Sequence, residues 1–175
     1  MLVTTSRRPS HKVRIIGREL AAVLPHAEYV TRGKKSVEET AYLAYTLGSS
    51  KLIIIGVSHG GPGSLSVLRT GKDWDWIARH PIVGASLYRE LAKTKLRRGK
   101  TSKLVIKADN PGAAEYFREL FTEEHLVDEE EDKISTLHIS THGEYTKLLF
   151  HREDLPLPGP MLKLKTGLEK SWRRS

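Results

Sequence analysis

Leu2-Val3-Thr4-Thr5-Ser6-Arg7-Arg8-Pro9-Ser10 opens the 175-residue chain with four residues suited to a buried strand and then breaks into a polar, cationic turn. The short β-branched run Leu2 to Thr5 reads as a first strand. From Ser10 onward Val13, Ile16, Leu20 and Leu24 recur at spacings of three and four, a helical stripe that Pro25 ends. His11, Arg14 and Arg18 fall on a different face, within about 100° of one another at 3.6 residues per turn. A strand that turns into a helix offers free amides and the positive end of a dipole to a phosphate. The hydroxyls of Ser6 and Ser10 and the guanidiniums of Arg7 and Arg8 add donors of matching geometry. The plainer reading is that Ser6 or Ser10 only caps the helix while the arginines form surface ion pairs. Pro9 at the first helical position would make Arg8 the cap, and the sequence leaves that boundary open.

Working outward, Glu28 to Thr31 reads as a second strand and Arg32-Gly33-Lys34-Lys35 as a basic turn. Ser36-Val37-Glu38-Glu39 carries a capping-box signature, so a second helix starts there and runs to Leu47, with Gly48 at its left-handed end. Leu52 to Val57 is a continuous apolar run, as expected of a central strand covered on both faces. Gly60-Gly61-Pro62-Gly63 reads as a hairpin turn into a strand over Ser64 to Thr70. In the second half, Asp73 to His80 alternates through Trp74, Trp76 and Ala78 as a strand. Val83, Leu87 and Leu91 predict a third helix over Val83 to Leu96, and Lys103 to Ala108 a strand. Asn110-Pro111 caps and starts a helix carrying Ala114, Phe117, Leu120 and Phe121 on one side. Lys133 to Ser140 and Tyr145 to His151 form a hairpin around His142-Gly143.

Both halves therefore read strand, helix, strand, helix, strand, strand. This predicts an α/β fold of two similar βαβαββ lobes, residues 1–70 and 71–155, related by a pseudo-twofold. Residues 156–175, opened by Pro156, Pro158, Gly159 and Pro160, read as a basic tail.

The net charge of +8 is unevenly divided: residues 1–35 and 71–105 each carry net +6, and residues 106–140 carry −7. Segregated charge costs self-repulsion in the compact state, so these blocks point to surfaces that face different partners, a polyanion for the basic ones. Arg89, Lys93 and Arg97 repeat every four residues on the expected third helix and lead into Arg98, Gly99 and Lys100. Like charges at that spacing disfavour an isolated helix by a few tenths of a kcal/mol per pair, a cost that a polyanionic ligand removes. The competing reading for this helix and for the acidic stretch 123–132 is a solvated surface, and the latter would also suit a basic protein partner.

Several chemistries find no support. The chain has no cysteine, which excludes disulfides and thiolate metal sites. Its eight histidines are scattered without organised carboxylates, so no metal or other cofactor is expected. The glycines at 60–63 match neither the P-loop nor the dinucleotide-binding fingerprint. No stretch reads as a signal peptide or membrane span, which makes a cytoplasmic protein the default expectation.

The residues also suggest a family. Leu2 to Ser10, followed by Arg14 and Glu19-Leu20, resembles the opening of Brix-domain proteins, especially the branch related to the U3 small nucleolar ribonucleoprotein subunit and its archaeal counterparts. Leu24-Pro25-His26-Ala27, Arg32-Gly33 and Leu52-Ile53-Ile54-Ile55 are similar as well. The likeness covers residues 1 to 70 well and residues 71 to 155 mainly by order of elements, and the short form looks archaeal. It implies a domain spanning 1–155 whose halves resemble the anticodon-binding domains of class IIa synthetases. It also implies a non-catalytic role in ribosome biogenesis and pre-rRNA processing. The partners implied are ribosomal RNA or its precursor, and ribosomal proteins or other assembly factors. The RNA-binding residues expected are Ser6, Arg7, Arg8, Ser10, His11, Arg14, Arg18, Arg32, Lys34 and Lys35 on one face, and Arg89, Lys93, Arg97, Arg98 and Lys100 on a second. Competing expectations are a protein scaffold of the pre-ribosome, a tRNA-binding module and, least supported, a nucleotide-directed enzyme.

Overall fold

Apolar side chains at every position from Leu52 to Ile55 need cover on both faces of their strand, and helices on opposite sides of one sheet supply it. The structure, a computed structural model, describes residues 1–94, 96, 101–122 and 133–166. In chain order the elements are β1 (Leu2–Thr5), α1 (His11–Val23), β2 (Glu28–Tyr29), α2 (Val37–Thr46), β3 (Lys51–Ser58), β4 (Gly61–Arg69) and β5 (Asp75–Ser86). They continue with α3 (Tyr88–Ala92), β6 (Lys103–Ala108), α4 (Pro111–Phe121), β7 (Ile134–His142), β8 (Tyr145–Arg152) and β9 (Met161–Lys165). Among the described residues nine strands join one sheet in the order β2-β1-β3-β4-β5-β9-β8-β7-β6. β1 runs parallel to β2 and β3, and β6 parallel to β7, while the remaining neighbours are antiparallel.

The two faces bury different sets. Val13, Ile16, Leu20 and Val23 of α1 share the main core with Phe117, Leu120 and Phe121 of α4 and with inward residues from β3 to β8. Each such side chain contributes about 1.5–3 kcal/mol by leaving water. α1 touches β1, β3 and β4 and also β8, so the sheet curls around it. On the opposite face α2 places Ala41 and Ala44 on Leu2, Leu52, Ile54 and Leu68, with Trp74 packed alongside. Gly17 allows α1 to lie this close: a Cβ there would stand 2.8 Å from the Tyr29 ring.

The C-terminal end of α1 is sewn to the second half. The carbonyl of Ala22 accepts from Arg152 Nη1 at 3.2 Å and from Thr101 Oγ1 at 3.0 Å. Thr101 in turn accepts the His26 amide at 2.8 Å. Arg152 is fully buried and forks onto Asp154 at 2.5 and 3.1 Å. Cationic donors at the last turn of a helix satisfy carbonyls that have no intrahelical partner.

The expected order of elements is present, with two corrections. Residues 156–175 are not simply a tail, because Met161–Lys165 forms β9, which pairs with β5 on one side and β8 on the other; residues 167–175 lie outside the described set. That strand explains the second correction. β5 runs on to Ser86 because β9 offers it a partner through Ile82–Ser86, leaving α3 only Tyr88–Ala92 instead of a helix over Val83 to Leu96. The spacing of Val83, Leu87 and Leu91 imitates a helix, yet Val83 and Leu91 are exposed and only Leu87 is buried. The halves also occupy the sheet differently: β1 sits between β2 and β3, while β5 joins β4 to β9 and β6 pairs directly with β7.

Replacing Arg152 by Met should lower unfolding stability by roughly 2–4 kcal/mol, because it leaves the Ala22 carbonyl with one donor and Asp154 with no guanidinium. A shift of the urea midpoint without loss of cooperativity would confirm this, and an unchanged midpoint would contradict it.

Candidate nucleic-acid interface

Ser10, not Arg8, caps α1: its Oγ accepts the Val13 amide at 3.4 Å, and Pro9 precedes it. Ser6 remains attached to the sheet, donating its amide to the Ile55 carbonyl at 2.9 Å. Its hydroxyl is buried and has no hydrogen-bond partner. The strand, turn and helix thus leave one hydroxyl unused where the exposed side chains of Arg7 and Arg8 emerge.

Along α1, His11, Arg14 and Arg18 are exposed, as the helical stripe predicts. Arg18 lies over the Tyr29 ring at 5.5 Å from its centroid, a cation–π contact that orients the guanidinium. Arg7 is near enough to the 32–39 segment for its charge to act on both Arg32 and Glu39. That proximity brings the junction and the basic turn onto one side of the molecule. Lys34 and Lys35 are exposed, but Arg32 is only 8% accessible and donates from Nε to the Lys35 carbonyl at 2.9 Å, holding the turn. Burial, and then the like charge of Arg7, push its pKa down. No carboxylate lies within 4.0 Å of Arg7, Arg8, Arg14, Arg18, Lys34 or Lys35 among the described residues.

The capping box of α2 forms as its sequence predicts: the Ser36 amide donates to Glu39 at 2.6 Å, and the Glu39 amide donates to Ser36 Oγ at 3.0 Å. The Ser36 amide, then its hydroxyl, hold the Glu39 carboxyl below its ordinary range.

The second expected face is not assembled as a helical stripe. Lys93 is exposed but sits past the end of α3 in the left-handed region, at φ 52°. Arg89 lies within electrostatic reach of Glu19 and Glu90. Arg97, Arg98 and Lys100, like the acidic stretch 123–132, lie outside the described residues. Lys12, on the other side of α1, pairs with Glu90 at 3.0 Å.

Two buried charges escaped the reading of the sequence. Glu19, on the core side of α1, is 4% exposed and accepts the Tyr88 amide at 2.7 Å. Desolvation raises its pKa, opposed by the Tyr88 and Arg89 amides. Arg152 is the other. For Glu19 the signal was present: a carboxylate one residue before Leu20 falls inside the apolar stripe. Of the tryptophans, Trp74 packs under α2 while Trp76 is 45% exposed, edge-on to it at 6.0 Å. Ser58 and His59 touch at 2.9 Å on an exposed hairpin tip. Among the described residues no group of His, Asp or Glu is placed to hold a metal, and no helix is long and apolar enough to cross a membrane.

No family model matches the chain. Two solved structures share its fold over 94% of its length: a probable ribosomal biogenesis protein from Aeropyrum pernix, with TM-score 0.75 and 31% identity, and the archaeal Imp4-like protein Mil, with TM-score 0.61 and 23% identity. The curled nine-stranded α/β architecture is therefore that of archaeal ribosomal biogenesis and Imp4-like proteins. A curated Aeropyrum pernix relative, a probable Brix domain-containing ribosomal biogenesis protein, is 34% identical over 123 residues, 68% of this chain and 67% of the relative. The Pyrococcus horikoshii and Thermococcus kodakarensis relatives of the same description are each 37% identical over 92 residues, and the match spans 41% and 44% of their lengths. The chain belongs to the Brix domain-containing ribosomal biogenesis proteins.

Ser10→Ala should cost about 1 kcal/mol through the lost cap, whereas Ser6→Ala, which deletes an unpartnered buried hydroxyl, should cost nothing or stabilise slightly. Equal losses in paired denaturation curves would contradict the assignment. For Glu19 the folded pKa lies above the unfolded value of 4.5, so protonation favours the folded state. Below pH 4.5 both states are protonated; above the folded pKa both are ionised and the full cost of burying the charge is felt. The stability of the wild type relative to Glu19→Gln should therefore fall as pH rises from 4.5 toward neutrality, and a difference that stays flat or grows would refute it.

Proposed function

We propose that this chain is a non-catalytic RNA-binding factor of ribosome assembly, with ribosomal RNA or its precursor as ligand and ribosomal proteins or other assembly factors as neighbours in the particle. The observation that carries the reading is the set Arg7, Arg8, Arg14 and Arg18, exposed around one strand-to-helix junction with no carboxylate within 4.0 Å among the described residues. Guanidiniums without counter-ions gain most from phosphate oxygens, which they meet with paired donors. Ser6 Oγ, buried beneath these side chains, would meet a phosphate only if the turn above it opened. Ser10, His11, Lys34 and Lys35 complete the face, with Arg32 acting from below by fixing the turn. Arg89 and Lys93, with Arg97, Arg98 and Lys100, form the second contact in this reading.

The domain meant is 1–155 extended by β9, acting in the cytoplasm without a cofactor. The two halves are read as relatives that resemble class IIa anticodon-binding domains; their shared order of elements supports this, and superposing β1–β4 on the second half tests it. Family membership supports the ribosomal setting, since the relatives are described as ribosomal biogenesis proteins.

Phosphate contacts dominate affinity in such a complex. With about six phosphates engaged, binding of single-stranded RNA should weaken with a log–log salt slope near −4. The double variant Arg7→Ala/Arg8→Ala should flatten that slope by about one to one and a half. A slope that does not move in a fluorescence-anisotropy titration across salt concentrations would overturn the assignment of this face.

A further inference from the structure

The strands of the second half expose a charged surface that the tail reading of residues 156–175 conceals. Leu137, Leu148, Leu162 and Leu164 point into the core, so the residues between them point outward. Register then brings the outward residues into rows: Lys107 stands beside His138, and Lys147 directly opposite Lys163. Arg79, Lys103 and Lys165 belong to the same face, and no outward position from Trp76 to Ser86 or on β6 to β9 is Asp or Glu. Lys165 pairs with Glu144 of the β7–β8 turn at 3.3 Å. For Arg79, Lys103, Lys107, Lys147 and Lys163 no carboxylate lies within 4.0 Å among the described residues.

α1 and α4 pack on the other side of the sheet, and α2 covers this side only at β1, β3 and β4. Like charges directly opposite in an antiparallel pair destabilise a sheet, so Lys147 and Lys163 carry a cost that a polyanion removes. Lys163 also lies 4.6 Å from the ring centroid of Tyr145, which is 37% exposed on the same face. Lys147 and Lys163 stand about 4.8 Å apart across strands, and Lys163 and Lys165 about 6.7 Å apart along β9.

We propose that this outward face of β5 to β9 docks a single-stranded RNA segment, separately from the junction at Ser6–Ser10. The lysines and Arg79 follow the ribose-phosphate chain while Tyr145 offers its ring to a base. An open sheet face that combines cations with an exposed aromatic suits unpaired bases, whereas duplex RNA presents its bases only in grooves. This rests on the RNA reading above, and the test separates the two.

The probe is a uridine oligonucleotide of about a dozen nucleotides, titrated against the full chain by fluorescence anisotropy over a range of salt. Lys107→Gln/Lys147→Gln/Lys163→Gln should flatten the log–log slope by about 2 without lowering the melting temperature. Tyr145→Ala should weaken binding about tenfold with the slope kept. If the triple variant binds as the wild type does while Arg7→Ala/Arg8→Ala does not, the sheet face is unused and only the junction binds RNA. If neither variant changes binding, the RNA reading fails and this proposal with it. Displacement of the oligonucleotide by a polyglutamate peptide at equal charge concentration would reassign the face to acidic proteins.

Discussion

The carbonyl of Ala22, near the end of α1, is held by donors from the other half of the chain, Arg152 and Thr101. This contact decides how the molecule is arranged. α1 follows β1 in sequence, yet its last turn is fixed by β8, and its buried face fills a core shared by strands from both halves. A helix tied at both ends, by the Ser10 cap and by Arg152, presents its exposed side in one orientation. The burial of Arg152 is tolerable because the Asp154 carboxylate and the Ala22 carbonyl satisfy its guanidinium.

From that constraint the distribution of charge follows. The core side of α1 keeps one carboxylate, Glu19, locked on the amide of Tyr88. On its exposed side Arg14 and Arg18 have no carboxylate within 4.0 Å among the described residues, while Lys12 pairs with Glu90. Among the described residues Arg7, Arg8, Arg14 and Arg18 surround the first strand–helix junction, and Arg79, Lys103, Lys107, Lys147 and Lys163 take outward strand positions of the second half. Gathering like charge opposes folding, and it is sustained by the apolar burial beneath, where α1 alone contributes four large side chains.

Much of this could be read from residue order. The strand Leu2–Thr5, the stripe of α1, the capping box at Ser36 and the Asn110-Pro111 start of α4 each carry a local signal, and each forms where the signal places it. What escaped depends on pairing over long sequence distance. Leu162-Lys163-Leu164-Lys165 alternates as a strand should, but lies behind Pro156, Pro158 and Pro160, which suggest a tail. Without β9, the stretch Ile82–Ser86 has no visible partner, and its apolar spacing passes for a helix. The cations of Lys147 and Lys163 were equally hidden, since only the register makes them neighbours. Arg152 follows Phe150 on an alternating strand, so its inward direction was legible, while its partner Ala22, far away in sequence, was not.

The central claim is that exposed cations of this fold follow a ribose-phosphate chain. The most direct measurement is ultraviolet cross-linking of the protein to precursor ribosomal RNA, with the attached peptides located by mass spectrometry. The account predicts cross-linked peptides from residues 6–18 and 138–165. Cross-links confined to α4, or none above the background of an unrelated basic protein, would contradict it.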